Sequence, residues 1–221
     1  LRFCFYLAKK VSTQMVIDNK YYQELFDGGD IAKVKTISYG GTIDNSLQMA
    51  DVIDEFNFVD SDYYLSISRS IRDNKMEELC SLFSNCPDKK LVLISNFSNS
   101  EYGRDVLAKY KGYPNIELID GLYDKPKLDL VRRNCKAYIH SHTLCGSSPS
   151  LIEMIVCRVP IYSIDVIQNR HTLADQGFYF SGFDELQTLL EDDLLPNSPS
   201  LDFSSQYNWQ TVVGEYEGLL L

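Results

Sequence analysis

The sequence lacks the apolar segments that mark membrane-bound and secreted proteins. No apolar run approaches the roughly 18 residues of a membrane-spanning helix, and no signal peptide opens the chain. The first residue is Leu1 rather than Met, which leads us to expect a piece of a longer polypeptide. We therefore predict a cytoplasmic protein without a membrane span.

Paired cysteines are also missing. Six cysteines are scattered along the chain, but none belongs to a CxxC pair, so the ligand spacing of a zinc site is absent. Several stand in apolar or helical contexts, which is typical of reduced thiols in an intracellular protein. We predict neither a metal nor another cofactor.

Three well-known catalytic motifs are absent. Without GxGxxG or GxxxxGK[ST], a dehydrogenase or a kinase is disfavoured, and without GxSxG the chain has no nucleophile elbow. The acid pairs Glu77-Glu78 and Asp192-Asp193 fall on predicted helix surfaces, where they are typical of solvated faces. The sequence therefore identifies no catalytic side chain.

Basic residues are scarce relative to acids. The 221 residues include 21 Lys and Arg against 31 Asp and Glu, a formal net charge of -10. Nucleic acid is therefore excluded as a general partner, because phosphate backbones are bound by basic surfaces. With 44% hydrophobic residues, the chain can form the core of one large or two small domains.

Strands and helices alternate regularly through residues 61–205. Strands are predicted at 63–68, 90–96, 116–119, 137–142, 161–164 and 178–180. Helices are predicted at 74–83, 100–110, 127–134, 149–156, near 168, and at 184–192. This alternation predicts an α/β domain with a Rossmann-like parallel sheet and helices on both faces, whose ligand lies at the carboxyl ends of the strands.

The two ends of the chain do not follow this pattern. Residues 1–60 are predicted to hold helices at 3–11, 21–26 and 46–56 and strands at 14–18 and 34–39, too few for a complete domain. Residues 42–62 are acidic and are taken as the connection into the main domain. After a polar loop at 196–206, a last helix is predicted at 207–219, within a closing segment 206–221.

The stretch AYIHSHTLCGSSPSLIEM, residues 137–154, has the pattern of an anion site. A buried strand is followed by a loop of small residues and a helix that opens at Pro149, a residue suited to the first helical position. The free N–H groups and positive dipole end of such a helix suit a phosphate, and Glu153, one turn in, could reach a sugar hydroxyl. An ordinary strand–loop–helix connection with a surface glutamate is the alternative.

Three further groups lie at predicted strand ends. Arg69, with Arg72 and Lys75 nearby, could compensate a pyrophosphate, although a solvated basic loop has the same pattern. We expect His140 and His142 to point to opposite faces of their strand, so that at most one faces a site; either could be a hydrogen-bonded core histidine. Gly121, Leu122 and Tyr123 could receive a nucleobase or form a simple turn, and the remaining candidates at these ends include Asn96.

The order of these motifs resembles the donor-binding half of GT-B glycosyltransferases of family 4, within it the rhamnosyltransferase group. The resemblance runs from about residue 16 to 219 and is carried by four stretches: VIDNKYYQEL with KTISYGG, YYLSISRSIRDNK, YIHSHTLCGSSPSLIEM and YNWQTVVGEYEGLL. The third is the most specific, since it is similar to the family segment His…Gly-Thr-Asn-Pro-Ser-Leu-Leu-Glu-Ala-Met.

The resemblance implies a GT-B donor domain with a reduced N-terminal part. Residues 1–60 would be the remnant of the acceptor-side domain and the interdomain connection, 61–205 the nucleotide-sugar-binding domain, and 206–221 the crossing helix. Neighbouring domains of the same polypeptide, in a multidomain and perhaps viral enzyme of the host cytoplasm, would supply the missing acceptor contacts.

The resemblance also implies roles for single residues. The donor diphosphate would be bound by Arg69, Asn74, Lys75, Gly146, Ser147, Ser148 and Ser150. The ribose would be held by Glu153, the base by Gly121, Leu122 and Tyr123, and the residues near the sugar would be Gly40, His140, His142 and Cys145.

Two departures from the family pattern bear on the substrate. Cys145 stands where the family often has a sugar-contacting glutamate, which suits a 6-deoxy sugar, and Asn74 replaces the usual lysine. The resemblance therefore implies metal-independent transfer of a sugar, foremost L-rhamnose from UDP- or dTDP-rhamnose, to a glycan hydroxyl. A non-catalytic nucleotide-sugar-binding domain and a transferase for another hexose are the alternatives.

Overall fold

The computed structural model describes residues 2–220. Within this range the strands are β1 Met15–Ile17, β2 Val34–Thr36, β3 Tyr64–Ile67, β4 Leu91–Ser95, β5 Ile116–Asp120, β6 Ala137–His140, β7 Ile161–Ile164 and β8 Phe178–Phe180. The α-helices are α1 Arg2–Val11, α2 Met76–Ser84, α3 Glu101–Tyr110, α4 Lys125–Asn134, α5 Pro149–Cys157, α6 Ile167–Leu173, α7 Phe183–Glu191, α8 Leu201–Ser205 and α9 Trp209–Glu217. Short 3₁₀ helices lie at Lys20–Leu25, Gly28–Lys33, Met49–Asp51, Arg72–Asn74 and Phe97–Asn99.

Six strands form one parallel sheet in the order β5-β4-β3-β6-β7-β8. The order reverses direction between β3 and β6, which leaves a crevice at their carboxyl ends. Strands β1 and β2 pair in parallel as a separate two-stranded sheet. The predicted α/β fold with a parallel sheet is therefore confirmed.

Apolar side chains alternate between the two faces of the six-stranded sheet. On β3, Tyr64 packs into a cluster with α2, α3 and α7, while Leu65 packs into a second cluster with α4 and α5. On β6, Ile139 packs into the first cluster and Tyr138 into the second. Because successive strand residues point to opposite faces, both faces are apolar and both are covered by helices, as predicted.

Several helices begin at polar side chains that satisfy their first N–H groups. The side chains of Ser100, Asp124 and Asn208 accept hydrogen bonds from Gly103, Lys127 and Thr211 at the starts of α3, α4 and α9. In α5, Pro149 occupies the first turn and the preceding Ser148 makes no side-chain capping bond. The start of α5 therefore carries no side-chain cap, as is also true of α2, α6 and α7.

The helix predicted at 46–56 is wrong. Only Met49–Asp51 forms a short 3₁₀ turn, because Asp44 and Asp51 accept hydrogen bonds from the backbone of Ser46 and Gln48 and so compete with helical bonding. The apolar residues behind the helix prediction are nevertheless buried, since Val52 and Phe56 belong to the core.

Other differences concern the ends of elements. The helix predicted at 21–26 is a 3₁₀ helix, the polar loop predicted at 196–206 contains α8, and the last helix starts at Trp209 after its Asn208 cap. The strand predicted at 34–39 ends at Thr36, and the strand predicted at 137–142 ends at His140.

Hydrogen bonds at Asn19 and Gly41 are among those that connect residues 2–41 to the rest of the fold. The buried Asn19 donates its side-chain amide to the Gln168 carbonyl (3.0 Å) and the Thr172 hydroxyl (3.1 Å) of α6. Further on, Gly41 donates its N–H to the Tyr207 carbonyl (2.7 Å). None of the helices in residues 2–220 combines the length and the hydropathy of a membrane-spanning helix.

Candidate functional site: a cavity at the carboxyl edge of the sheet

A cavity of about 600 Å³ opens where β3, β4, β5 and β6 end. It lies at the edge where ligands of open parallel sheets bind, and its volume is within the range of small-molecule sites. The predicted site residues that line it are Arg69, Asn74, Gly121, Leu122, Tyr123, His142, Cys145, Gly146, Ser147, Ser148 and Ser150. The predicted residues that do not line it are Gly40, Lys75, His140 and Glu153.

The N-terminus of α5 faces this cavity through Ser148, Pro149 and Ser150. The hydroxyls of Ser148 and Ser150 lie 3.0 Å apart, and Tyr138 donates its hydroxyl to Ser150 Oγ at 3.1 Å. These bonds orient the two serine side chains toward each other rather than onto the helix backbone. The uncapped N–H groups and the positive dipole end of α5 therefore suit an anion.

Arg69 supplies a cation on the opposite side of the crevice. Its carbonyl accepts the side-chain amide of the buried Asn74 (2.8 Å), and the next N–H, of Ser70, donates to Asn96 Oδ1 (3.0 Å). Within residues 2–220 the exposed Arg69 guanidinium forms no salt bridge, so its charge is available to a ligand. Asn74 acts here on the Arg69 backbone, which gives it a positioning role.

Lys75 is directed away from the crevice. It has a left-handed backbone (φ 57°), its ammonium pairs with Glu78 at 3.1 Å, and it lines a different cavity of about 620 Å³ beside α2, α3 and α7. In this arrangement Lys75 does not accompany Arg69 at the diphosphate position.

His140 and His142 lie on the same side of β6, which corrects the prediction of opposite faces. Their ring centroids are 4.2 Å apart. Residues two apart in a strand share a face, so the alternation argument was wrong; the strand also ends at His140. His140 is fully buried, whereas His142 reaches the cavity.

Both imidazoles are held neutral. Burial lowers the pKa of His140 well below its usual value, and the neighbouring His142 acts in the same direction. Burial, followed by the charge of Arg69, lowers the pKa of His142 to about 4. The Nδ1 atoms lie 3.5 Å from the hydroxyls of Tyr138 and Ser148, while the Nε2 atoms have no hydrogen-bond partner among residues 2–220.

His140, His142 and Cys145 form a cluster that sequence spacing did not reveal. One ligand atom from each lies within 4.8 Å of the others, which is the kind of set that holds a soft metal ion. The guanidinium of Arg69 acts on both His142 and Cys145, however, and would oppose a second cation at this place. Burial and the charge of Asp18 raise the pKa of the Cys145 thiol to about 11.

Glu153 sits in a network behind the cavity. Its Oε2 pairs with the buried Arg132, which also pairs with the buried Asp129 at 2.7 Å, and Lys125 completes the network. Burial raises the pKa of the Glu153 carboxyl, and the charge of Arg132 opposes that rise. Oε1 receives no hydrogen bond from residues 2–220, but Glu153 does not line the cavity.

Gly121 and Tyr123 form the end of the cavity beyond β5. Gly121 has a left-handed backbone (φ 76°), and a Cβ atom there would lie 2.8 Å from Tyr123 Cε2. Tyr123 is 83% exposed, so one face of its ring is free for stacking. This geometry requires glycine at 121 and keeps the Tyr123 ring at the edge of the cavity.

Sequence reasoning missed Asp18, which lines the cavity from the end of β1. Ser147 donates its N–H to Asp18 Oδ2 (3.2 Å) and its hydroxyl to the Asp18 carbonyl (2.5 Å). Its position directly after a strand was an available signal. Gly40, in contrast, contacts Trp209: a Cβ atom there would lie 2.6 Å from Trp209 Cδ2.

The fold is similar to that of solved glycosyltransferases. HepE of Anabaena, in complex with UDP and glucose, has a TM-score of 0.79 at 15% identity, over 99% of this chain and 66% of HepE. Sucrose-phosphate synthase of Thermosynechococcus elongatus has a TM-score of 0.75 at 15% identity, over 100% of this chain and 61% of the synthase. A glycosyltransferase of Rickettsia africae has a TM-score of 0.74 at 10% identity, over 96% of this chain and 66% of that protein.

These similarities confirm the predicted GT-B type of fold. At 10–15% identity they show the fold alone. No family model and no curated protein matches the chain. The chain spans less than two thirds of the length of each of the three proteins.

Proposed function

We propose that the protein binds a nucleoside diphosphate sugar and transfers its sugar to a hydroxyl of a glycan. One observation carries the proposal: the Arg69 guanidinium and the uncapped N-terminus of α5 border one cavity at the crevice of the sheet. A diphosphate needs this pairing of a bidentate cation with backbone N–H groups. The likeness to HepE, which was solved with UDP and glucose, supports the same assignment.

The strand order arranges the cavity for such a ligand. Gly121 and Tyr123 follow β5 at one end and offer a turn and a ring to a base, whereas Arg69 and α5 follow β3 and β6 in the middle. Glu153 does not line the cavity, and its ribose-binding role therefore requires that its Oε1 becomes accessible when the ligand binds. In this reading the base and the diphosphate bind along the edge of the sheet.

The chemical role of the site is to stabilise the leaving group. As the glycosidic bond breaks, negative charge accumulates on the departing diphosphate, and Arg69 with the α5 dipole would stabilise it. The Nε2 of the neutral His142 could donate to or accept from the ligand, depending on its tautomer. No general base is assigned, since acceptor contacts would come from neighbouring domains of the same polypeptide.

The sugar is proposed to be L-rhamnose, from UDP- or dTDP-rhamnose. Support comes from Cys145, which places a thiol rather than a carboxylate on the loop before α5 and so suits a sugar with fewer hydroxyls. Another hexose is the competing donor, to be compared directly in binding.

The central test is calorimetric titration with UDP, dTDP and GDP, followed by the matching sugar donors. Charge-assisted hydrogen bonds contribute about 1.5–3 kcal/mol, so Arg69→Ala should weaken nucleoside diphosphate binding roughly 10- to 150-fold. Glu153→Gln should weaken it less. Arg72→Ala is the matched control, because Arg72 belongs to the same loop but stacks on Tyr102 at 4.9 Å outside the cavity.

Unchanged binding in Arg69→Ala, or equal losses in Arg69→Ala and Arg72→Ala, would contradict the assignment of the diphosphate site. Absence of binding to every nucleotide by the unaltered protein would contradict the proposed function itself.

A non-catalytic nucleotide-sugar-binding domain is the second candidate. Release of nucleoside diphosphate from the donor without an acceptor separates the two. A transferase should show slow hydrolysis that Arg69→Ala reduces, whereas a binding domain should show none.

A further inference from the structure

The cavity is lined by one carboxylate and one cationic side chain among the residues that the structure describes. The carboxylate is Asp18, after β1, and the cation is Arg69, after β3. A nucleoside diphosphate sugar has anionic oxygens at its centre and hydroxyl donors on its sugar. Arg69 is complementary to the anionic oxygens. The acceptor oxygens of Asp18 are complementary to the hydroxyl donors of the sugar.

The Asp18 carboxylate rests on the loop before α5. Besides the two bonds to Ser147, the carboxylate covers Gly146 so closely that a Cβ atom there would lie 2.5 Å from Oδ2 and 2.7 Å from Oδ1. Glycine at 146 is therefore required by the position of Asp18.

The backbone on both sides of Asp18 is fixed. The preceding Ile17 accepts the N–H of Ile37 at 2.9 Å, and the following Asn19 is anchored to α6 through Gln168 and Thr172. A carboxylate on such a support is preorganised, because little conformational entropy is lost when a ligand reaches it.

The order of the strands places Asp18 on the side of the diphosphate position that faces away from the base position. Along the carboxyl edge, the proposed base position follows β5, Arg69 follows β3, and the loop 141–148 follows β6. Asp18 bridges that loop to α6, which follows β7, through its own contacts and those of Asn19. In a nucleoside diphosphate sugar the base and the sugar lie on opposite sides of the diphosphate, so Asp18 lies on the side of the sugar.

We propose that Asp18 is a specificity-determining residue, whose carboxylate accepts hydrogen bonds from the hydroxyls of the donor sugar. This inference rests on the proposed function. Hydrogen bonds to a carboxylate are stronger than neutral ones, and two neighbouring hydroxyls can use its two oxygens. The Asp18 carboxylate thus approaches the sugar from a different part of the chain than the loop that carries Cys145.

The test compares each nucleotide with its sugar donor: UDP with UDP-glucose, and dTDP with dTDP-rhamnose. The measured quantity is the ratio of the two dissociation constants, nucleotide over sugar donor, by calorimetry. Asp18→Asn keeps an acceptor for the Ser147 N–H but loses the charge and one acceptor oxygen. The ratio should fall about tenfold or more, the size of one charge-assisted hydrogen bond, with nucleotide binding retained.

Two further variants test whether the position of the Asp18 carboxylate matters and whether any loss of a negative charge has the same effect. Asp18→Glu keeps the charge but displaces it by one methylene, and it should also lower the ratio. Asp27→Asn makes the same charge change at an exposed position of the first 40 residues, away from the cavity, and should leave the ratio unchanged. Thermal unfolding of each variant verifies that it is folded.

Two results would overturn the inference while nucleotide binding stands. One is an unchanged ratio in Asp18→Asn; if both affinities rise equally, Asp18 competes with the phosphate instead. The other is a ratio of one in the unaltered protein for both sugars. Failure of the unaltered protein to bind UDP or dTDP would instead remove the proposed function, and this inference with it.

Discussion

At the scale of single residues, His140 and His142 at the end of β6 make the stability of the fold depend on pH. Burial and the charge of Arg69 keep His142 neutral, with its pKa lowered to about 4, and the pKa of His140 is lowered as well. A lowered pKa means that the unfolded chain binds protons more readily than the folded protein. Stability is therefore lost as the pH falls from about 6.5, the ordinary histidine value, toward about 4.

The size of this effect follows from the shift at His142. A lowering from 6.5 to about 4 corresponds to roughly 3 kcal/mol of unfolding free energy across that window. The free energy of unfolding, measured with urea at several pH values, should therefore fall less steeply with decreasing pH in His142→Gln than in the unaltered protein. His171→Gln, which changes an exposed histidine, is the control, and equal slopes in all three proteins would contradict the prediction.

Residue identities alone could not locate every functional group. Arg69 and the serines before α5 were predicted because strand ends and small-residue loops have local signals. Asp18 was not predicted, because its contact partner Ser147 lies 129 residues away, in the loop before α5. The error over His140 and His142 was one of periodicity rather than of missing information.

At the scale of elements, the regular βα alternation predicted the strands of the six-stranded sheet correctly. Apolar runs of four or five residues that are buried on both faces are typical of strands in a parallel sheet. The irregular segment between β2 and β3 was predicted as a helix because its apolar spacing is helical. In this segment aspartate side chains accept hydrogen bonds from nearby backbone N–H groups and so compete with helix formation. The spacing of apolar residues contains no information about these bonds.

The packing of α9 on Gly40 can be tested with two glycines. In Gly40→Ala, the new Cβ would overlap the Trp209 ring, so the variant should lose about 1–3 kcal/mol of stability, as overpacked sites do. Gly214→Ala changes a residue within α9 that has no neighbour in reach, and it should gain about 0.5–1 kcal/mol. Urea unfolding checks both; equal effects of the two substitutions would contradict this packing.

At the scale of the whole molecule, residues 2–41 are joined to the domain of the six-stranded sheet by hydrogen bonds at Asp18, Asn19 and Gly41. We expect them to unfold together. Trp209 is the one tryptophan of the chain and packs at Gly40, so its fluorescence reports on the junction, whereas far-UV circular dichroism reports on all helices and strands.

The two signals should give the same urea midpoint, as a two-state transition requires. A fluorescence transition that precedes the circular dichroism transition would show instead that the junction opens while the sheet remains folded.

The contacts around Gly40 and Gly41 also govern how the parts of the chain can move. The chain passes this point twice, once through Gly40 and Gly41 and again through Tyr207, Asn208 and Trp209, and the two passes are bonded side by side. A single connecting segment would act as a swivel, free to turn in any direction. Because two passes are bonded side by side, we expect any rotation between residues 2–41 and the rest of the fold to be restricted to an axis through this point.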